Sequence, residues 1–268
     1  MQAIYKALTI AGSDSGAGAG IQADLKTFAA FGVYGTSVVT AVTAQNTERV
    51  TQILELNPSL VAAQFDAVIQ DIGAHALKTG MLANSAIIEL VAEKIHEHRL
   101  PNLVVDPVMV AKGGDVLLRK DAIETLRLRL IPLATIVTPN LPEAEQLTGI
   151  RGNRLKDVKE AARRIMAMGA RSVVIKGGHR RGAARDLFYD GKQFRELTAP
   201  RIRTANTHGT GCTFSAAIAA NLARGERLQK AVAHAKRYIT QAIRKGFTVG
   251  SGHSPVHHFY CYWEKGRP

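Results

Sequence analysis

Cysteine is nearly absent from this chain: 268 residues contain two, Cys212 and Cys261. One of them lies inside a glycine-rich loop rather than in a spaced framework, so no structural disulfide is expected. Aromatic side chains are scarce at 6%, and no stacking motif, zinc finger or heptad array is present to read a nucleic acid. Long apolar runs are missing as well. None reaches the roughly 18 residues that cross a bilayer, and residues 1–10 lack the basic segment and apolar core of a signal peptide. The expectation is a cytoplasmic protein without a membrane partner. The two common phosphate motifs, G-x-G-x-x-G and G-x-x-x-x-G-K-[ST], are not found. No repeat or low-complexity linker divides residues 1–268, which makes one domain the economical reading.

What the chain does have is positive charge, unevenly placed. The net charge is +13, from 35 Lys plus Arg against 22 Asp plus Glu. Residues 1–134 balance at −2, with 11 basic and 13 acidic side chains, whereas residues 135–268 carry +15. The basic half holds the stretch N-T-H-G-T-G-C-T-F-S-A-A-I at 206–218. Gly209 and Gly211 stand there among small hydroxyl residues, directly before an alanine-rich helical segment. Free backbone N–H groups then point out of a turn at a helix N-terminus, a place that holds an anion. The same N–H groups and the helix dipole are expected to favour a Cys212 thiolate beside a bound phosphate. Attraction of a polyphosphate ligand, with ordinary solvated surface, accounts for the charge better than nucleic-acid recognition.

In chain order, residues 7–12 form a short apolar strand that feeds the loop S-D-S-G-A-G-A-G. A helix follows over 21–31, with Asp24 near its start as either a dipole complement or a ligand group. Strand-like segments at 35–44 and 50–56 precede a helix opened by Pro58 and running to 72. Strands at 76–79, 103–106 and 135–138 alternate with helices at 84–98 and 120–130, and a helix at 155–168 leads to a strand at 172–176. This alternation predicts right-handed crossovers and a largely parallel sheet covered on both faces. Asp190 and Gly191, between strands at 184–189 and 193–197, signal a hairpin that adds an antiparallel edge. Helices at 213–222 and 228–244 come next, then G-S-G-H-S-P-V-H-H-F-Y, whose histidine spacing fits no strong zinc pattern.

Ligands of open α/β sheets bind beyond the carboxyl ends of the strands. This chain places K-T-G-M-L at 78–82, D-P-V-M-V-A-K at 106–112, T-P-N-L-P-E-A-E at 138–145 and K-G-G-H at 176–179 there. Asp106, Asn140 and Glu143 are each readable as a cap or turn former. Together in one crevice they suit hydrated magnesium, which keeps its waters and uses few carboxylates. Lys176 either neutralises a phosphate or is a solvated lysine.

The blocks A-L-T-I-A-G-S-D-S-G-A-G-A-G-I-Q-A-D-L-K-T-F at 7–28, V-V-T-A-V-T-A-Q-N-T at 38–47 and D-P-V-M-V-A-K closely resemble the hydroxymethylpyrimidine and phosphomethylpyrimidine kinases of thiamine biosynthesis. So do T-P-N-L-P-E-A, K-G-G-H and N-T-H-G-T-G-C-T, in the same order. The resemblance implies a ribokinase-like three-layer α/β/α sandwich with a mostly parallel central sheet, using ATP and Mg²⁺, and a homodimer. It implies that Asp24 and Gln45 hydrogen-bond an aminopyrimidine, and that Gly12, Val42, Met81 and Val108 form the slot around its ring. Asn140 and Glu143 match an N-x-x-E element that organises magnesium and phosphate, with Asp106 as the other metal residue. Gly209, Thr210 and Gly211 would form the anion hole, with Thr207 and Lys176 at the nucleotide phosphates. Cys212 falls where sugar kinases of the superfamily carry an aspartate base. Two departures are visible: the family commonly has glycine where this chain has Ala17, and lysine where it has Ala205.

These assignments imply phosphorylation of the pyrimidine alcohol and then of its monophosphate. Pyridoxal or pyridoxine phosphorylation is the nearest alternative. A basic nucleic-acid binder and a degenerate ligand sensor are more distant ones, and the intact loop together with Asp24, Gln45 and Glu143 argues against the sensor.

Overall fold

The computed structural model describes residues 4–110, 117–152, 154–178 and 183–263. Among these, nine strands form one sheet in the order β3-β2-β1-β4-β5-β6-β7-β8-β9. The strands are β1 Lys6–Asp14, β2 Tyr34–Gln45, β3 Val50–Glu55, β4 Ala76–Thr79, β5 Leu103–Val105, β6 Ile136–Val137, β7 Val173–Ile175, β8 Ala184–Tyr189 and β9 Phe194–Ala199. Pairing is parallel from β2 through β1, β4, β5 and β6 to β7. The helices are α1 Gly20–Ala30, α2 Pro58–Asp71, α3 Ser85–Glu97, α4 Lys120–Thr125, α5 Leu141–Thr148, α6 Leu155–Ala167, α7 Thr210–Ala223 and α8 Leu228–Arg244.

Side-chain alternation along the strands explains the layering. Leu8, Ile10, Leu77 and Val105 pack into a core with residues of α2, α3 and α6. Their neighbours Ala7, Ala76 and Val104 face the opposite core, with α1, α7 and α8. Small residues on this second face let α7 lie close on the sheet. Its Ala216, Ala217, Ala219 and Ala220 are all fully buried, as a helix enclosed on every side requires. The N-terminus of α7 is thereby fixed at the ends of the central strands.

Both sheet edges are antiparallel, where the sequence reading places such an edge on one side only. The expected hairpin joins β8 to β9, with Asp190 Oδ1 accepting from the Lys192 and Gln193 N–H groups. At the other edge β3 returns along β2, because Asn46 Oδ1 accepts from the Glu48 and Arg49 N–H groups and turns the chain there. The helix expected over 120–130 is α-helical only to Thr125, then widens to a π-helical turn over Leu126–Leu130 before Pro132. Helix α5 is an addition. Pro142 sits in its first turn, where a missing N–H costs nothing. No described helix is long and apolar enough to cross a membrane.

Candidate active site

The carboxyl ends of the parallel strands and the start of α7 enclose a cleft of about 640 Å³. Thr207, Gly209, Thr210, Gly211 and Cys212 line its middle. Gly209 adopts φ 73° as the N-cap of α7, and a Cβ there would lie 1.7 Å from the Gly18 carbonyl oxygen. Only glycine allows the two loops to touch at this point. Thr210 Oγ1 donates to the Thr207 carbonyl at 2.7 Å, which ties the loop to the helix. The first-turn N–H groups of α7 have no partner inside the helix, and that of Thr210 donates to the Thr207 carbonyl at 3.3 Å.

Two ammonium groups from the sheet line the same cleft. Lys176, at the end of β7, lies 2.8 Å from Asp106 Oδ1, and Thr138 Oγ1 donates to the same oxygen at 3.2 Å. Burial opposes the Lys176 charge, but Asp106 and Glu143 outweigh it and hold the ammonium above its usual pKa. Asp106 is in turn held below its usual value, with Lys176 and Lys78 overcoming burial. Lys176 is therefore no solvated surface lysine. Lys78 also lines the cleft. Its Nζ lies 2.8 Å from Asp24 Oδ2 with neither side chain exposed, and Asp24 keeps it charged against burial.

Cys212 corrects one sequence expectation. Burial pushes its thiol up to about 11, with Lys78 opposing and Asp24 and Asp106 adding to the rise. Helix position alone suggested a favoured thiolate, but desolvation and two nearby carboxylates win. The side chain is a thiol at neutral pH.

Gly12, Gln45, Met81 and Val108 line the cleft. A Cβ on Gly12 would stand 3.0 Å from the Met81 sulfur, so this glycine keeps the slot open. Two residues assigned to the ring are not among those lining the cleft. Val42 is 45% exposed and is not part of the lining. The two-residue period of β2 turns Thr43 and Gln45 toward the cleft, and leaves Val42 on the other face, paired with Leu54 of β3. Asp24 lies behind the cleft wall, fully buried, with its Oδ2 accepting from Thr9 and Lys78. Its distance from the ring slot follows from Lys78, which arrives on β4 to meet it.

Asn140 and Glu143 take the cap reading. They form the capping box of α5, with Asn140 N–H donating to Glu143 Oε2 at 2.7 Å and Glu143 N–H to Asn140 Oδ1 at 2.9 Å. Both also line the cleft. Burial, aided by Asp106 and opposed by Lys176, pushes the Glu143 carboxyl up to about 7. Among the described residues no cluster of three or more His, Cys, Asp or Glu could cage a metal ion. Asp106 and Glu143 supply two carboxylates at one wall, a donor set that suits a largely hydrated cation rather than a caged one.

Sequence reasoning missed Asp14 and His208. His208 Nε2 lies 2.8 Å from Asp14 Oδ2, and Asp14 also accepts from the Gly16, Gly18 and Ala19 N–H groups. Burial raises the Asp14 pKa, yet His208 and these N–H groups bring it below the usual value. A histidine inside a phosphate loop was the available signal. Ala17, at the position of a family glycine, takes φ 58°, a strain of roughly 1 kcal/mol for a residue with a Cβ. Among the late histidines, His258 Nε2 meets Thr213 Oγ1 at 2.9 Å. Ala111, Lys112 and His179, parts of two quoted blocks, lie outside the described residues.

Comparison with known proteins bears on the whole of this arrangement. Residues 14–257 match the family model for phosphomethylpyrimidine kinase. The chain is 50% identical over 258 residues to the hydroxymethylpyrimidine/phosphomethylpyrimidine kinase of Bacillus subtilis, covering 96% of this chain and 95% of that protein. It is 54% identical over 252 residues to a thiamine biosynthesis bifunctional protein of Geobacter sulfurreducens, covering 94% of this chain but 51% of that longer protein. An ADP complex of Bacillus subtilis pyridoxal kinase has a TM-score of 0.90 at 44% identity, covering 96% of this chain and 98% of that one. The ribokinase-like sandwich is thus shared with a vitamin kinase of different printed activity, while a family match over residues 14–257 places the cleft in a lineage of phosphotransferases: the chain belongs to the phosphomethylpyrimidine kinase family.

Proposed function

We propose that the protein transfers the γ-phosphoryl group of ATP to 4-amino-5-hydroxymethyl-2-methylpyrimidine and then to its monophosphate, giving the diphosphate used in thiamine biosynthesis. The observation that carries this reading is that Cys212 and the glycine loop before α7 line one cleft with Gly12, Met81, Val108, Gln45 and Lys176, with the Lys176 ammonium against Gly211. A flat polar ring fits the slot, and its hydroxymethyl arm then points to where phosphoryl charge is neutralised.

Phosphoryl transfer depends on positioning and charge neutralisation. The α7 N–H groups and Lys176 hold the migrating group, and Lys78 adds positive charge from below. Only the thiolate form of Cys212, which Lys78 favours against burial, can take the alcohol proton in the first transfer, becoming the thiol as it does so. Because burial keeps that form scarce, Cys212 is a base of modest leverage, about 10²-fold to 10⁴-fold. The second acceptor is an ionised phosphate and needs no base. Asp106, and Glu143 as the N-x-x-E glutamate, would hold hydrated Mg²⁺ against the nucleotide phosphates. When bound, Mg²⁺ supplies neutralisation of charge on the β- and γ-oxygens.

The protein acts as a single domain in the cytoplasm and as a homodimer. Supporting the dimer, Val42 and Leu54 stand opposite each other on the β2–β3 arm at 45% and 63% exposed. Pyridoxal phosphorylation is a second reading, favoured by the likeness to the pyridoxal kinase structure. ADP release measured with the pyrimidine alcohol, its monophosphate and pyridoxal side by side tests both. Turnover of pyridoxal alone would reverse the order.

A further inference from the structure

The first glycine loop and the anion loop are joined by a side-chain contact that phosphoryl transfer itself does not call for. His208 and Asp14 are 8% and 3% exposed, and Nε2 of the imidazole lies 2.8 Å from Asp14 Oδ2. That oxygen already accepts the Gly18 and Ala19 N–H groups. A carboxylate so placed is an acceptor only, so His208 Nε2 carries a proton and donates it. The same Nε2 stands 3.4 Å from the Gln45 side-chain nitrogen. Two donors do not bond to each other. At the other atom of the amide, the Gln45 oxygen is 3.1 Å from Thr43 Oγ1, which donates its one proton to the Ser13 carbonyl at 3.0 Å. A half-turn of the amide about its last torsion removes both conflicts. Its oxygen then shares the one Nε2 proton of His208 with Asp14 as the longer arm of a three-centre bond, its nitrogen donates to Thr43, and Thr43 donates to Ser13.

We propose that His208, fixed by Asp14, is a positioning residue that sets the Gln45 amide in this orientation and so decides which hydrogen bonds the cleft offers to the ring of the acceptor. Counting donors and acceptors, the amide keeps one N–H and one oxygen lone pair unspent. That pattern matches a ring edge with an acceptor nitrogen beside an amino group. Without His208 the amide is free to turn and loses its preference. The glycine at 18 belongs to the same device: a Cβ there would lie 2.2 Å from His208 Cδ2, so the imidazole keeps its place only against a bare backbone.

The inference rests on the ring acceptor of the proposed function, and steady-state kinetics on the full chain test it. His208→Leu removes the donor; Gly18→Ala displaces the imidazole and removes no hydrogen-bonding group. Both are expected to raise KM for the aminopyrimidine alcohol about tenfold, with KM for ATP unchanged. His208→Gln, whose amide N–H replaces the Nε2 donor, is expected to recover most of that loss. In a Gln45→Ala background His208→Leu is expected to add nothing. An unmoved pyrimidine KM in Gly18→Ala, or a full further loss in the Gln45→Ala background, overturns the role even where His208→Leu fails to fold. If the wild-type chain turns over pyridoxal in place of the pyrimidine, the functional reading falls by itself. The same variants are then read on the pyridoxal KM, where no change overturns the positioning role separately.

Discussion

Lys176 Nζ lies 2.8 Å from Asp106 Oδ1, and a Cβ built on Gly211 would come within 3.2 Å of that ammonium. The carboxylate thus parks the cation directly against the backbone of the anion loop. Lys176→Met is expected to lower kcat for both acceptors by about 100-fold, with little change in KM for the pyrimidine. Gly211→Ala crowds the same ammonium and is expected to give a smaller loss of the same kind. Rates measured separately with the alcohol and the monophosphate check this, and a loss confined to one acceptor would contradict it.

Cys212 separates the two steps. Cys212→Ala is expected to slow phosphorylation of the alcohol by at least about 100-fold and to leave phosphorylation of the monophosphate within a few-fold of wild type. Equal loss with both acceptors would remove the base role and leave packing as the only function of the thiol.

Glu143 couples the site to pH. Its carboxyl rises from 4.5 to about 7 in the folded chain, chiefly through burial. A group with a raised folded pKa stabilises the fold while protonated, fully below the unfolded value of 4.5, and that stability is lost as pH rises through about 7. Glu143→Gln keeps an oxygen for the Asn140 N–H and does not titrate. Its urea midpoint is expected to fall less than that of wild type across this interval. Parallel curves for the two proteins would show that Glu143 does not titrate there.

Lys78 and Asp24 stand or fall together. With both side chains fully buried, Lys78→Met leaves an unpaired buried carboxylate and is expected to cost about 3 kcal/mol or more. Adding Asp24→Leu is expected to return much of that stability and none of the activity lost with the cleft cation. Thermal melting of the two variants decides it: a double variant less stable than the single one is the opposite outcome.

Much of the fold is written in local pattern. β-branched runs separated by helical segments announce the parallel strands, and Asp190-Gly191 announces the hairpin. The anion loop is equally local, since its chemistry belongs to backbone N–H groups at a helix start. What escapes sequence is decided by partners that arrive from elsewhere. The depth of Asp24 depends on Lys78, the thiol character of Cys212 depends on burial beside Asp24 and Asp106, and the outward turn of Val42 depends on the phase of β2. Asp14 and His208 each look unremarkable in their own loops, because neither loop shows that the other will touch it.

Asp14 and His208 are separated by 194 positions along the chain. Their contact closes a loop of 194 positions in a chain of 268 residues, and His208 N–H is itself held by the Ser254 carbonyl at 3.1 Å. Contacts of such long range come late in folding, after the loop entropy has been overcome. The acceptor end of the cleft therefore takes its shape only where the first glycine loop meets the loop before α7, and no single segment of the chain can form it alone.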